Sequence, residues 1–364
     1  MTAARRDHGL DAARGILMML GILLHTANIY RPGSTWLLAD ASANAYFFTW
    51  LARAIHVFRM PAFFWISGYF TAMTLLRRGP AALLLARATR LLVPLIVVAS
   101  TLNVAQDLLL ASYKGQPLAW ADVRLQAHHL WFLIDLAAFT LLLCALAPAL
   151  RALQLRAGDA AGRGGLSTLA IALAACALFG YALELCVRLS GLAYQPVLGL
   201  FTLFELANYF PYFLVGAYMH GRRDLLQRLA SVSPLWLPLG IAIAMLAAHW
   251  TRSAPGSLAE PARLLQLFGI WLSVASALGG FYRFFDRSTA FTRLVSDSAY
   301  SVYLLHHILV IALGMLLMGL PWWPWAKFLV VSVATTAAGL AAHLLLIRRS
   351  RVLSFLLNGK PPAA

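Results

Sequence analysis

Charged residues are scarce in this sequence. Only 12% of the 364 residues are Asp, Glu, Lys or Arg, whereas 61% are hydrophobic. Soluble globular domains carry roughly twice that share of charge, about 25%, so the composition excludes an ordinary soluble protein. About ten apolar stretches of roughly twenty residues each account for nearly the whole length. The sequence therefore predicts an all-α, polytopic membrane helix bundle that forms a single domain over residues 1–364.

Cysteine and acidic residues are also few. The three cysteines lie inside apolar runs without C-x-x-C spacing, so neither a disulfide framework nor a zinc site is expected. The 29 Lys and Arg outnumber the 13 Asp and Glu, which gives a net charge of +16. Nucleic-acid binding would require a basic face with interleaved polar residues, and none is present. The basic surplus is better explained by membrane topology.

The apolar windows give ten approximate transmembrane spans, at 10–30, 45–76, 83–110, 130–150, 166–187, 198–219, 234–250, 261–284, 298–319 and 323–347. If the N-terminus is cytoplasmic, twenty Lys and Arg fall in the inner segments and seven in the outer ones. This bias predicts that both termini face the cytoplasm.

The first span carries two polar residues on one helical face. Arg14 and His25 are eleven residues apart, which is close to three helical turns. The predicted topology places Arg14 near the cytoplasm and His25 towards the outer side. Charges and imidazoles inside spans usually mark functional sites, and we interpret this pair in that way. The alternative is a basic anchor at the membrane surface and a packing histidine.

The second span contains His56 and Arg59, which are neighbours on one helical face. Pro61 and the Ser67–Gly68 pair then predict a break in this helix, where backbone groups could line a cavity. An ordinary anchor with a proline kink is the alternative.

More polar groups occur in later spans. His128, His129 and Trp131 open the fourth span, and Tyr303, His306 and His307 lie in the ninth. Three histidine-bearing helices could therefore converge on one site. No H-x-x-x-H or H-E-x-x-H spacing occurs, so no metal site is expected. The buried acids are potential counter-ions for Arg59 or a histidine, and they are Asp135, Glu184 and Glu205.

An ordered set of motifs along the whole chain resembles the acyltransferase 3 family of integral membrane acyltransferases. Its R-x10-H signature corresponds to Arg14 and His25, with Asp11 preceding them. The later elements follow in the family's order, and they are Phe58–Pro61, Ile66–Phe70, Arg87 and Arg90, His129–Leu133 and Tyr303–His307. Further stretches are similar to family members that succinylate periplasmic glucans, and they are Tyr209–Phe213 and Leu356–Pro361.

The resemblance implies acyl transfer from cytoplasmic acyl-CoA, either succinyl-CoA or acetyl-CoA, to a hydroxyl of a periplasmic glucan or another glycan. It implies a multi-pass protein of the bacterial inner membrane with no tightly bound cofactor. The planar guanidinium group of arginine suits the phosphates of CoA. The arginines expected at the cytoplasmic opening of the bundle, or on the path that leads from it, are Arg14, Arg77, Arg78, Arg87 and Arg90.

On this interpretation His25 is the general base, and Arg59 or His306 stabilises the oxyanion. Arg59 is also a candidate partner for the distal carboxylate of a succinyl donor. Residues expected to bind the acceptor or support the site are His56, His129, Trp131, Glu205, Tyr303 and His307. A covalent relay through a histidine is the variant mechanism.

Two other functions are compatible with the sequence. One is an O-acetyltransferase of another surface or exported glycan, and the other is a non-catalytic glycan or lipid transporter. A bundle of this size can fold as a monomer or assemble as a homodimer.

Overall fold

The structure of the chain, a computed structural model, describes residues 7–116, 126–156, 166–197, 199–253 and 256–359. The basic residues Arg5, Arg6, Arg124 and Arg163 and the tail from Lys360 lie outside these ranges.

The described residues are almost entirely helical. The first eight α-helices are α1 (His8–Ile29), α2 (Tyr46–Arg87), α3 (Val93–Ser100), α4 (Leu102–Tyr113), α5 (Trp131–Ala145), α6 (Ala147–Arg156), α7 (Leu166–Leu189) and α8 (Leu203–Met219). The remaining ones are α9 (Arg223–Ser231), α10 (Trp236–Ser253), α11 (Gly256–Phe285), α12 (Ala290–Leu316), α13 (Pro324–Ala341) and α14 (Arg351–Asn358).

Short elements connect some of these helices. Two π-helical segments, Ala88–Leu92 and Ala342–Ile347, continue α2 and α13, and a 3₁₀ turn, His128–Leu130, precedes α5. A small antiparallel hairpin of β1 (Pro196–Val197) and β2 (Phe201–Thr202) precedes α8.

The all-α, multi-pass architecture is confirmed. In the described residues seven helical segments are long and apolar enough to cross a membrane, or eight if the bent pair Asp224–Ser231 and Trp236–Ser253 forms one span. One of the seven, Tyr46–Tyr113, contains two predicted spans. Each predicted span contains a helix, but α8 has only 17 residues. The number of ten spans and the cytoplasmic termini stay predictions.

The prediction of a break near Pro61 is wrong. Helix α2 runs through Pro61 and Gly68, and its non-helical residue is Gly79, with φ 80° and ψ 172°. Glycine adopts this conformation without the steric cost of a side chain. The following Pro80 disfavours the helical conformation at the residue before it. The break is therefore set by the Gly79–Pro80 pair.

The chain divides into two compact units. The first comprises the chain up to Arg14, Val57–Leu84 and Asp135–Arg293, and the second comprises Gly15–His56, Leu85–Ile134 and the chain from Leu294. Helices α1, α2, α5 and α12 contribute to both units.

The first unit is built on close helix contacts at glycines. A Cβ atom at Gly68 of α2 would overlap the carbonyl oxygen of Phe213 in α8, and one at Gly216 would overlap that of Trp65. The backbones of α2 and α8 are thus in direct contact. Small residues permit such close approach in membrane bundles, where van der Waals packing drives association.

Two ion pairs in the first unit join neighbouring helices. Arg263 of α11 donates to Glu184 of α7 at 2.6 and 2.9 Å and to Asn208 of α8 at 3.0 Å. Arg188 and Glu260 form a second pair at 2.7 Å. An unpaired charge within a bundle is costly. These pairs avoid that cost, and they connect α7, α8 and α11.

The second unit has its apolar core where α1, α12 and α13 meet the chain that follows α1. Its fully buried side chains include Ile29 and Tyr30 from the end of α1, and Phe48, Val310 and Val331 from three other helices. At α14, Asn358 accepts from Ser301 at 3.0 Å, and Ser301 also bonds His343 at 2.9 Å. These bonds attach α14 to α12 and to the π-helical segment that follows α13.

The contact between α2 and α8 gives a first prediction. Gly68→Ala should lower the free energy of unfolding by about 1–3 kcal/mol, because the added methyl group meets backbone atoms that cannot move aside. Gly180→Ala is the matched control, since its Cβ would lie 3.7 Å from the nearest side-chain atom of Pro211. Thermal unfolding in detergent measures both. Equal stability of the two variants would contradict this packing.

Candidate active site

The site is built from five histidines of the second unit, which we call the histidine cluster: His25, His128, His129, His306 and His307. His25 comes from the C-terminal half of α1, and its ring centroid lies 5.3 Å from that of His306 and 4.9 Å from that of His307. The His129 ring stacks on His307 at 4.6 Å with an interplanar angle of 16°. The predicted convergence of three histidine-bearing segments is present in the structure.

Helix α12 places two neighbouring histidines in this cluster. His306 is completely buried and His307 is 2% exposed. The sequence left open which of the two faces the site, and the structure shows that both rings contact His25. One turn earlier, the Tyr303 hydroxyl donates to the backbone carbonyl of His129 at 2.6 Å. Tyr303 thereby ties α12 to the turn that carries His128 and His129.

Hydrogen bonds fix the tautomer of His306. Its Nδ1 atom bonds the backbone carbonyl of Tyr303. Because a carbonyl oxygen only accepts, Nδ1 carries the proton, and in the neutral ring Nε2 holds the lone pair. His307 Nδ1 lies 2.6 Å from Oε1 of Gln106 in α4, and the same reasoning assigns its proton to Nδ1. In each ring, Nε2 is then the nitrogen that can accept a proton.

Trp36 completes the cluster, and the sequence analysis missed it. Its indole stacks on His25, with ring centroids 5.5 Å apart and an interplanar angle of 24°, and meets His307 edge-on at 5.4 Å. Trp36 lies in the segment between α1 and α2, and the sequence alone does not predict which residues of that segment pack against α1. The sequence offers one signal for this contact, an aromatic residue eleven positions after His25. Such a spacing is too common to predict that the two side chains meet.

The segment between α1 and α2 is held by a buried ion pair. Lys327 of α13 is 0% exposed and donates to Asp40, which is 4% exposed, at 2.7 Å. Asp40 also accepts from the Ser42 hydroxyl and from the backbone of Ala43. Ser34 fixes the other end of the segment by donating to the carbonyl of Asn28 at 2.6 Å.

The electrostatics of Asp40 follow from these contacts. Burial alone would raise the pKa of Asp40, but hydrogen bonds from Lys327 and Ser42, together with the Lys327 charge, hold the pKa below its usual value. The carboxylate therefore remains ionised and paired. Lys327 is one of the seven Lys and Arg that the charge pattern predicts in outer segments, and the sequence does not predict its pairing with Asp40.

The arginines expected to bind CoA are accessible. Arg77, Arg78 and Arg90 are exposed and Arg87 is half-buried. Arg77 and Arg78 belong to the first unit, and Arg87 and Arg90 to the second. Arg14 lies in α1 as predicted.

The neighbours of Arg14 are local. Arg14 pairs with Asp11 at 3.5 Å and lies 5.6 Å from the ring of Phe70. Both residues of the R-x10-H pair are therefore in one continuous helix, α1.

Other predicted residues have different surroundings. Arg59 is buried in the first unit, in electrostatic range of Tyr209, which also interacts with Asp135. His56 is exposed and Trp131 is half-buried. In the described part of the chain, no group of three His, Cys, Asp or Glu residues is arranged to hold a metal ion.

Two of the expected counter-ions have other partners. Glu184 pairs with Arg263. Glu205 is exposed and forms a capping box with Thr202 at the start of α8. The Thr202–Glu205 spacing was a readable sequence signal for this cap. Structural roles explain both acids.

Comparisons with known proteins identify the family of this chain. Residues 7–344 match the acyltransferase domain of the acyltransferase 3 family, and the chain belongs to that family. The chain is 26% identical to Glucans biosynthesis protein C of Escherichia coli K12, over 98% of this chain and 96% of the relative. It is 27% identical to Glucans biosynthesis protein C of Salmonella typhimurium, over 99% and 96%. No solved structure matches it.

The buried ion pair gives a second prediction. Lys327→Met should lower the free energy of unfolding by about 3–5 kcal/mol, because it leaves the Asp40 carboxylate buried without its cation. Arg188→Met is the control, since the more exposed pair of Arg188 and Glu260 is worth about 1 kcal/mol or less. Thermal unfolding in detergent measures both losses.

The pH dependence of this pair follows from the lowered pKa of Asp40. Its contribution is complete above the ordinary carboxyl pKa and is lost as the pH falls through the lower folded-state value. The penalty of Lys327→Met should therefore shrink at acid pH. A penalty independent of pH would contradict an electrostatic role.

Proposed function

We propose that this chain is a membrane-bound O-acyltransferase that moves a succinyl group from cytoplasmic acyl-CoA to a hydroxyl of a periplasmic glucan. The observation that carries the proposal is the packing of His25 against Trp36, His306 and His307 in a member of an acyltransferase family. The printed name of the relatives, Glucans biosynthesis protein C, supports the acceptor class.

The chemistry assigns His25 as the general base. A partly buried imidazole among other rings can take the proton of the acceptor hydroxyl while that oxygen attacks the thioester carbonyl. The C–O bond forms, the C–S bond breaks, and the thiolate of CoA leaves with the electron pair. A protonated His306, whose Nε2 then donates a hydrogen bond, stabilises the oxyanion of the tetrahedral intermediate. His129, His307 and Tyr303 hold the rings in place.

The proposal includes the topology that the charges predict. Ten spans with both termini in the cytoplasm, in the bacterial inner membrane, put Arg77, Arg78, Arg87 and Arg90 on the side where acyl-CoA is present. The CoA phosphates remain there, and the thioester arm extends towards the outer side. Because His25 lies eleven residues from Arg14 in α1, a rise of about 16 Å separates them.

The third prediction concerns the base. Loss of His25 should lower acyl transfer by about 10²–10⁴-fold, the usual contribution of general acid–base catalysis. The measurement uses purified full-length protein with radiolabelled succinyl-CoA and glucan, and mass spectrometry of periplasmic glucans from a complemented strain that lacks its native enzyme. His249→Ala, an exposed histidine of α10, is the matched control for His25→Ala.

The outcomes of this experiment separate the alternatives. Transfer by His25→Ala at the wild-type rate would show that the base is another residue. Transfer of acetyl groups to a different glycan would identify an O-acetyltransferase of another acceptor. A wild-type protein that neither transfers nor hydrolyses the thioester would favour a transporter.

The fourth prediction concerns donor choice. Arg59→Gln should weaken the use of succinyl-CoA more than that of acetyl-CoA, because only the succinyl chain carries a distal carboxylate for the guanidinium to bind. The ratio of kcat/KM for the two donors is the measurement, and Arg252→Gln, at an exposed arginine of α10, is the control. An equal loss with both donors would assign Arg59 to catalysis or packing.

A further inference from the structure

His128 is more exposed than the three buried rings of the histidine cluster, His129, His306 and His307. Its side chain is 14% exposed, and that of its partner Asp107 is 25% exposed. His306 and His307 are 0% and 2% exposed, and His129 is 7% exposed. His128 therefore lies between the buried rings and the surface of the second unit.

A carboxylate fixes the orientation of His128. Nε2 lies 2.8 and 3.1 Å from the two carboxylate oxygens of Asp107 in α4. Because a carboxylate oxygen accepts, Nε2 carries a proton, and Nδ1 is the nitrogen that can take up or release another. A carboxylate in this position holds an imidazole in one orientation and fixes its tautomer.

The backbone of His128 is strained. Its φ is 42°, and in the described part of the chain it is the sole non-glycine residue with a positive φ. This conformation costs on the order of 1–3 kcal/mol and persists where the surrounding structure imposes it, often at functional sites. Asn103 helps to impose it here, since its side chain donates to the carbonyl of Gln126 at 2.7 Å.

The inner side of the His128 ring meets the cluster. It stacks on His307 with ring centroids 6.0 Å apart, and His307 in turn lies 4.9 Å from His25. The titratable groups beside His128 are Asp107 on α4, His307 on α12 and His129 on its own turn. A path of adjacent rings thus runs from the proposed base to a partly exposed carboxylate.

We propose that His128 and Asp107 form a proton exit from the histidine cluster. The inference rests on the proposed function, because it takes the reaction to be acyl transfer to a hydroxyl. His25 takes the hydroxyl proton, Nε2 of His307 passes it to Nδ1 of His128, and His128 releases it to water. The leaving thiolate takes one proton from water on its own side, so each turnover consumes one proton and releases one.

The test uses small bases in place of the missing ring. His128→Gly removes the imidazole, leaves space for a free imidazole molecule and suits a positive φ. The assay uses purified full-length protein, radiolabelled succinyl-CoA and glucan in dilute buffer. The kcat should fall by about 10²-fold, the lower end of the usual contribution of general acid–base catalysis. The KM for acyl-CoA should be unchanged. Added imidazole should restore kcat in a saturable manner, while the wild type stays insensitive to it.

Asp107→Asn and His128→Asn are the second variants. Asparagine tolerates a positive φ, so His128→Asn keeps the backbone of the turn if His128→Gly fails to fold. Both should lower kcat in dilute buffer without changing the KM for acyl-CoA. His249→Ala is again the matched control.

Three outcomes decide the proposal. Recovery of kcat with imidazole supports a proton exit, because a merely structural defect would not respond to a small base. Full kcat of His128→Asn in dilute buffer overturns the proposal, and so does a loss that imidazole cannot repair in a folded His128→Gly. Failure of the wild type to transfer the acyl group would instead overturn the proposed function, which keeps the two failures distinct.

Discussion

The structure depends on how polar side chains are satisfied inside an apolar bundle. Each buried charge or imidazole needs a partner, because lipid and hydrocarbon side chains offer none. Asp40 with Lys327 and Glu184 with Arg263 meet this need as ion pairs. The histidine cluster meets it differently, through ring contacts and through bonds to a backbone carbonyl and to Gln106.

This constraint separates structural from chemical polar groups. A tightly paired charge such as Arg263 is held by two carboxylate bonds and an amide, so it stabilises helix contacts and cannot readily engage a substrate. The rings of His306 and His307 each use Nδ1 for an orienting bond. The remaining nitrogen can then exchange a proton, which is the capacity that acyl transfer requires.

Much of the fold and part of the site could be predicted from sequence. The lengths of the apolar runs located the helices, and the spacing of Arg14 and His25 required a single continuous helix, which α1 provides. The contacts of Trp36, Asp107 and Lys327 could not be predicted, because the register between helices depends on packing across the bundle. The same limit applies to Glu184, whose partner Arg263 lies 79 residues away.

The reactive groups that we propose suit the apolar medium. A serine or cysteine nucleophile inside the bundle would need an adjacent base, and it would develop a negative charge as it lost its proton. A neutral imidazole stays uncharged until it takes up the substrate proton. That proton must then leave the low-dielectric interior. A ring path to the His128–Asp107 pair provides this route with side chains that the fold already orients. The proposed base and the proposed exit are thus two parts of one solution to the same electrostatic problem.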